Sequence, residues 1–412
     1  MMQALVVTIL SIAAVFLAIT TVIIAAKAWR EIRDAWRRSR RRVLEPAVLA
    51  HAHGGDPSIL PALGGRLRGS DRAVLELILL DHVHRVRGIE KDRLGRVLDE
   101  LGYVDRYLSG LRSRRWWSRA DAAEKLGLSG ATRSTPKLVE AMSDPSHEVR
   151  LRAAKALGVV GGTAAIQPLI ATLAEPNRWS TIRIADILSS MGPEVSVELM
   201  HAWPQLNLNA RLAALDILGR IKSLAALGFL RRRLDESDAD VRARACHALG
   251  AIGDTTAGAE LMERLRDDAW PVRAMAAKAL GRVQHAAAVG ALSGALRDKE
   301  WWVRANAAES LRLLGPQGLD ALEKMLDDND VYARHQAVIM LQETGRLDAQ
   351  VELLAGSDAE RESSERFLRR FVRAGQTGRL RELAERHAKP AVRKALEALL
   401  PPEERQAGEV AR

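Results

Sequence analysis

One cysteine, Cys246, stands in 412 residues, so no disulfide framework exists and the chain suits a reducing compartment. Aromatic residues make up only 4% of the chain, yet nine are tryptophan, against three tyrosines and four phenylalanines. The scarce rings are thus concentrated in the residue type most favoured at binding hot spots. No glycine-rich phosphate loop, no Gly-x-Ser-x-Gly elbow and no Cys/His zinc spacing occurs. Nothing in these patterns points to nucleotide binding, serine hydrolysis or a zinc centre. The only His-Glu dipeptide is His147-Glu148. His51-x-His53 lies among glycines and prolines, where it would bind a metal weakly. In Asp81-His82-Val83-His84 a helix turns the two histidines to different sides, which makes a poor chelator.

What the chain has is a phrase, V-R-x-x-A-A-x-A-L-G, repeated at a nearly fixed interval. It runs from Val149-Arg150 to Leu157-Gly158, from Val241-Arg242 to Leu249-Gly250, and from Val272-Arg273 to Leu280-Gly281. Val303-Arg304 opens a longer variant, with Leu311 in the leucine slot and its glycine delayed to Gly315. The first slot falls at 118, 149, 182, 210, 241, 272, 303 and 331, in steps of 28 to 33 residues. Such a period marks stacked repeats, not a globule around one cleft. Each repeat reads as a helical hairpin. Ala259, Leu261, Met262 and Leu265 form one apolar stripe, and Val272, Met275, Ala276, Ala279 and Leu280 form the next. Pro271 fits a first helical turn, and Gly281 is expected to end the second helix.

The phrase resembles the HEAT-like repeat family in its short bacterial form of about 30 residues. The resemblance covers roughly residues 116–345. It is strong at 144–158, 236–250, 267–281 and 298–315, weaker at 175–192 and 204–219, and degenerate at 327–345. It implies an all-α chain, a right-handed α-solenoid whose concave face is a platform for protein partners. In related solenoids, aspartates such as Asp144, Asp267 and Asp298 and arginines such as Arg150, Arg242, Arg273 and Arg304 form ladders between repeats. Those aspartates are also expected to cap the second helix of each hairpin. HEAT-like enzymes are the alternative reading: a di-iron class with several His-Glu dipeptides, bilin lyases that hold a tetrapyrrole, and DNA glycosylases with a basic groove. One His-Glu dipeptide does not meet the first pattern, and near-balanced charge along the repeats argues against a nucleic-acid groove.

Residues 1–26 carry no charged side chain and are mostly aliphatic, long enough for a transmembrane helix. Residues 27–42 follow as a basic juxtamembrane segment, and 43–70 read as a linker broken by Pro46, Pro57, Pro61 and paired glycines. Six of the chain's ten excess positive charges fall within residues 1–42. Lys27, Arg30, Arg33, Arg37, Arg38, Arg40, Arg41 and Arg42, with Trp29 and Trp36, are therefore expected at an anionic lipid surface. The expected location is a bacterial inner membrane, single-pass, with the N-terminus outside and the solenoid cytoplasmic. Residues 71–115 read as a helical N-terminal cap, 116–345 as the repeats, 346–400 as a C-terminal helical cap and 401–412 as a disordered tail.

Tryptophan recurs just before the first slot: Trp116, Trp117, Trp179, Trp270, Trp301 and Trp302. Adjacent helical residues point about 100° apart, so the two rings of a pair do not easily share one buried site. These rings and the ladder arginines are the candidate contacts for a protein partner. The reading is a membrane-anchored, noncatalytic scaffold or adaptor, without cofactor or metal. Its expected partner is a protein such as a membrane glycosyltransferase or a signalling component.

Overall fold

A computed structural model describes residues 2–54, 69–86, 88–175, 180–375 and 377–401, and within these the side chains of all but residues 2–15, 18 and 70. The C-terminal segment from residue 402 and most of the expected linker, 55–68, lie outside the described residues. Every regular element described is helical. The chain divides into two compact units, Met1–Leu169 and Ile170–Arg412.

The first unit begins with α1 (Met2–His53), which does not stop at residue 26. Among the described residues no helix is long and apolar enough to cross a membrane. That finding overturns the expected transmembrane span and, with it, the single-pass inner-membrane location. The expected linker is also corrected over 43–53, which is helical with Pro46 inside it. Leu44, Val48, Ala52 and His51 are buried there, against α2 (Gly69–Arg85) and α3 (Ile89–Glu100).

Two of the expected lipid-facing arginines are spent inside the protein. Arg40 grips Asp71 with Nε and Nη2 at 2.9 and 2.8 Å. Arg41 donates to Asp81 at 2.6 Å and to Glu45, whose other partner is His82 at 2.9 Å. Arg41, with His82, outweighs burial and holds the Glu45 carboxyl at about 2. Trp29 and Trp36 are exposed. The unit continues with α4 (Tyr103–Gly110), α5 (Trp116–Ser129), α6 (Thr135–Ala141) and α7 (His147–Val160). Between α2, α4 and α5 lies a buried carboxylate, Glu76. It accepts from Tyr107 at 3.0 Å and pairs with Arg106 and Lys125 at 3.1 Å. Burial, reinforced by Glu76, pushes the Tyr107 phenol up.

After α8 (Ile166–Leu173), the second unit runs through α9 (Thr181–Ser190), α10 (Glu194–Ala202), α11 (Leu208–Ile221), α12 (Leu227–Arg233) and α13 (Ala239–Ile252). It continues with α14 (Gly258–Arg264), α15 (Trp270–Arg282), α16 (Val289–Ala295), α17 (Trp301–Leu313), α18 (Pro316–Met325) and α19 (Val331–Glu343). Four further helices close it: α20 (Arg346–Leu353), α21 (Asp358–Arg373), α22 (Gly378–Arg386) and α23 (Pro390–Leu399). Alternate helices stack on one another, α11 on α13, α13 on α15 and α15 on α17. Their contact faces are alanine-rich: Val272, Ala276, Ala277, Ala279 and Leu280 are all within 1% of full burial.

The glycine of the phrase does not end its helix. Gly250 and Gly281 lie inside α13 and α15, and α13 ends instead at Gly253, with φ of 82°. A Cβ on Gly250 would sit 2.7 Å from the Cα of Ala279, and one on Gly281 2.7 Å from the Cα of Ser310. The same contact joins Gly219 to Ala248 and, in the first unit, Gly127 to Ala156. Glycine is therefore the close-approach residue that sets the spacing of successive repeats.

Two slots move. In α9, Ile182 is exposed and Ile184, Ala185, Ile187 and Leu188 are buried, which puts Ser180 in the first slot. In α19, Arg334 holds the carbonyls of Asp328 and Asn329 as Arg304 holds those of Asp298 and Lys299. Ala333, fully buried, is thus the slot residue, and Val331 is exposed. The slots then fall at 118, 149, 180, 210, 241, 272, 303 and 333, every step 30 or 31 residues.

Candidate partner-binding edge

The loop that leads into each slotted helix is held by two neighbours. Asp267 accepts from the N–H of Ala269 at 2.9 Å, and Asp298 from Glu300 at 2.9 Å. Asp144 in the first unit accepts from Ser146 at 2.8 Å. These aspartates therefore bond the residue at or just before the helix start, not the free N–H groups of the first turn. Their other role is the ladder. Arg242 reaches Asp267 with Nε and Nη2 at 2.9 and 2.8 Å, and Arg273 reaches Asp298 at 2.6 and 2.9 Å. Arg119 reaches Asp144 at 2.6 and 2.9 Å. The Arg119 guanidinium holds the Asp144 carboxyl below its ordinary range. Burial works against the same shift in Asp267 and Asp298, and Arg242 and Arg273 prevail.

Each ladder arginine also closes its own loop through Nη1, as Arg242 does on the carbonyl of Glu236 at 2.8 Å. Arg150 binds the carbonyls of Asp144 and Pro145 at 3.0 and 3.1 Å. Arg242 and Arg273 are thus committed to packing and are not free to meet a partner, which corrects their place among the candidate contacts. The clamped loops leave the first turn of the helix rigid, and that turn carries the tryptophans.

The rings are displayed, not buried. Trp116, Trp117, Trp270, Trp301 and Trp302 are between 41% and 57% exposed. Trp301 and Trp302 meet edge to face with centroids 4.7 Å apart, and Trp116 and Trp117 do so at 6.0 Å. Trp179 lies outside the described residues. The corrected register adds a ring that the sequence pattern missed. Tyr332 occupies the place before Ala333 that Trp302 occupies before Val303, and it is equally exposed. The second unit therefore presents Trp270, Trp301, Trp302 and Tyr332 on the first turns of three successive stacked helices, α15, α17 and α19. Trp203 is the contrast: it is buried against Phe229 at 5.2 Å, with Arg211 and Arg233 over its ring.

An edge of indole and phenol rings offers flat apolar area and a few hydrogen-bond donors. It brings no nucleophile together with a base. A cavity of about 740 Å³ in the same unit is lined mainly by Ala259, Met262, Gly290, Ala291 and Gly294, with Glu263, Arg266 and Arg297 also present. His51 and His53, expected in a linker, sit in α1, the first buried and the second bonded to the Leu49 carbonyl at 2.7 Å.

No curated protein matches the chain. Among solved structures, Kap121p bound to Pho4p aligns at 12% identity over 87% of this chain and 49% of that one, with a TM-score of 0.44. An engineered protein aligns at 18% identity over 72% and 97%, with a TM-score of 0.34. The CpcE–CpcF phycocyanin lyase complex of Nostoc aligns at 20% identity over 58% and 94%, with a TM-score of 0.28. The family described as HEAT repeats matches residues 104–189, 204–277 and 258–342, more than half of the sequence. By that match the chain belongs to the HEAT-repeat family.

Proposed function

We propose that this protein is a noncatalytic scaffold or adaptor that captures a protein partner on the aromatic edge of its second unit. The observation that carries the reading is the row of exposed rings, Trp270, Trp301, Trp302 and Tyr332, the first three on turns fixed by the arginine–aspartate ladder. Side chains held in place lose little entropy on binding, so their apolar area converts efficiently into affinity. Tryptophan and tyrosine are the residues that dominate such surfaces. Right-handed coiling of the repeats, as the family resemblance implies, would align these turns along one edge.

The test is a photo-crosslinking amino acid at position 302 in the full chain, expressed in its native cells. A discrete crosslinked protein is expected, and it should disappear when Trp301→Ala and Trp270→Ala are added. The same tryptophan substitutions should leave the melting temperature within a few degrees, because exposed rings contribute little to the core. Large destabilisation would make the rings part of the packing and sink the assignment. Stoichiometric metal or pigment in the purified protein would replace the scaffold with an enzyme.

A further inference from the structure

The ladder has a missing rung beside the exposed rings. Where it is complete, Nη1 of the arginine binds its own loop and the Nε–Nη2 side binds the aspartate of the next repeat, as in Arg273 on Asp298. Arg304 performs the first task, with Nη1 at 2.7 and 2.9 Å from the Asp298 and Lys299 carbonyls. It does not perform the second. The equivalent aspartate is Asp328, five residues before Ala333, and it accepts from the N–H of Asp330 as its counterparts do. Arg297 has captured its carboxylate, with Nε 3.0 Å from Oδ1. Tyr332 lies against the Arg304 guanidinium instead, 4.6 Å from ring centroid to Cζ.

Arg304 is 8% exposed, the same as Arg273, whose outer side is filled. Among the described residues no carboxylate reaches its Nε or Nη2. Its charge is met by the two loop carbonyls and the face of Tyr332, which leaves the Nε–Nη2 edge without the two-pronged carboxylate that Arg273 has. Arg211 also has no ladder aspartate, but its guanidinium covers the buried ring of Trp203, and nearby Glu236 is bound by Arg233. Arg334 also closes its own loop and has no carboxylate on its outer side among the described residues. What Arg304 adds is an exposed ring, Tyr332, against its guanidinium, with Trp301 and Trp302 on the same first turn.

We infer that Arg304 is the receptor for a partner protein's aspartate or glutamate side chain flanked by an apolar residue. The carboxylate takes the place that Asp298 takes on Arg273, and the apolar neighbour lies on Trp302 and Tyr332. This rests on the partner-binding role proposed for the edge and specifies the chemistry that the partner must carry.

The test uses the full chain and two N-acetylated, C-amidated tripeptides, Leu-Asp-(4-fluoro-Phe) and its asparagine counterpart, followed by fluorine NMR at low ionic strength. The aspartate peptide should bind about tenfold more tightly, as a two-pronged, charge-assisted contact allows. Arg304→Lys keeps the charge and a donor for the loop carbonyls but loses the planar fork, so the preference should fall to about twofold. Equal binding of the two peptides by the unmodified chain overturns the inference, whatever the variant does. An undiminished preference in a folded Arg304→Lys protein does the same. A free C-terminal carboxylate that outcompetes the aspartate side chain would assign the site to chain ends and refute the side-chain assignment. If the crosslinked partner still depends on the tryptophans while both peptides bind alike, the aromatic edge stands and the carboxylate receptor alone falls.

Discussion

Gly250→Ala separates close approach from helix capping as the reason for the repeated glycine. The added methyl would lie 2.7 Å from Cα and 2.8 Å from Cβ of Ala279, where carbon atoms normally rest about 3.5–4.0 Å apart. Backbone atoms cannot swing aside, so α13 and α15 would have to separate by about 1 Å. Overpacking of this kind costs about 1–3 kcal/mol. Alanine's better helix propensity returns about 1 kcal/mol. The net expectation is a loss of up to about 2 kcal/mol, read as a lowered urea midpoint by circular dichroism. Gly294→Ala is the control, because a Cβ there meets nothing within 4 Å. It should be neutral or stabilising by up to about 1 kcal/mol. A helix-ending glycine would behave differently, since asparagine tolerates the left-handed conformation. Gly253→Asn, at φ of 82° and in open space, should therefore cost little, and Gly250→Asn should cost more than Gly250→Ala. If Gly250→Ala matches Gly294→Ala, or Gly250→Asn is benign, the close-approach argument is refuted.

Acid should weaken the second unit through its ladder. The carboxyls of Asp267 and Asp298 sit below the ordinary aspartate range, so the unfolded chain binds protons more readily than the folded one. Their stabilisation is present above about pH 4 and is lost as pH falls through the depressed folded values. Melting temperatures measured from pH 6 to pH 2 should decline, and Asp267→Asn with Asp298→Asn should flatten the decline while lowering stability at pH 6. In the first unit, Tyr107→Phe removes the 3.0 Å donor to buried Glu76 and should cost about 1–2 kcal/mol in urea unfolding. An unchanged midpoint would mean that Arg106 and Lys125 satisfy Glu76 without it.

The repeat was legible because its apolar slots recur on one helical face, and a period near 30 residues survives substitution at single positions. What misled were positions where an apolar residue stands near the slot without filling it. Ile182 and Val331 look like the slot valine, but both are exposed; buried Ile184, Ala185, Ile187 and Leu188 set the register at the exposed Ser180, and buried Ala333 holds the other place. Burial decides this, and a single sequence does not display burial when the true slot residue is small. Glycine was misread for a related reason. Its residue type fits both a helix end and a close approach, and only the 2.7 Å distance to Ala279 distinguishes them. The basic segment misled because the partners of Arg40 and Arg41, Asp71 and Asp81, lie 31 and 40 residues away. Five of the slot tryptophans are exposed and Trp179 lies outside the described residues, and Tyr332 was missed because the register was two residues off.

That correction also shows why rings and arginines belong to one argument. The residue before the slot faces outward, and the residue after it reaches back to close the loop. Repeats that complete the ladder turn their arginine inward and hold the preceding turn still. Where the ladder fails at Arg304, the tyrosine before the next slot covers the guanidinium face, so the departure from the repeat and the densest display of rings occur together. A row of equivalent hairpins has no intrinsic reason to favour one place along its edge. Capture of Asp328 by Arg297 supplies one, by leaving the Nε–Nη2 edge of Arg304 without its ladder carboxylate.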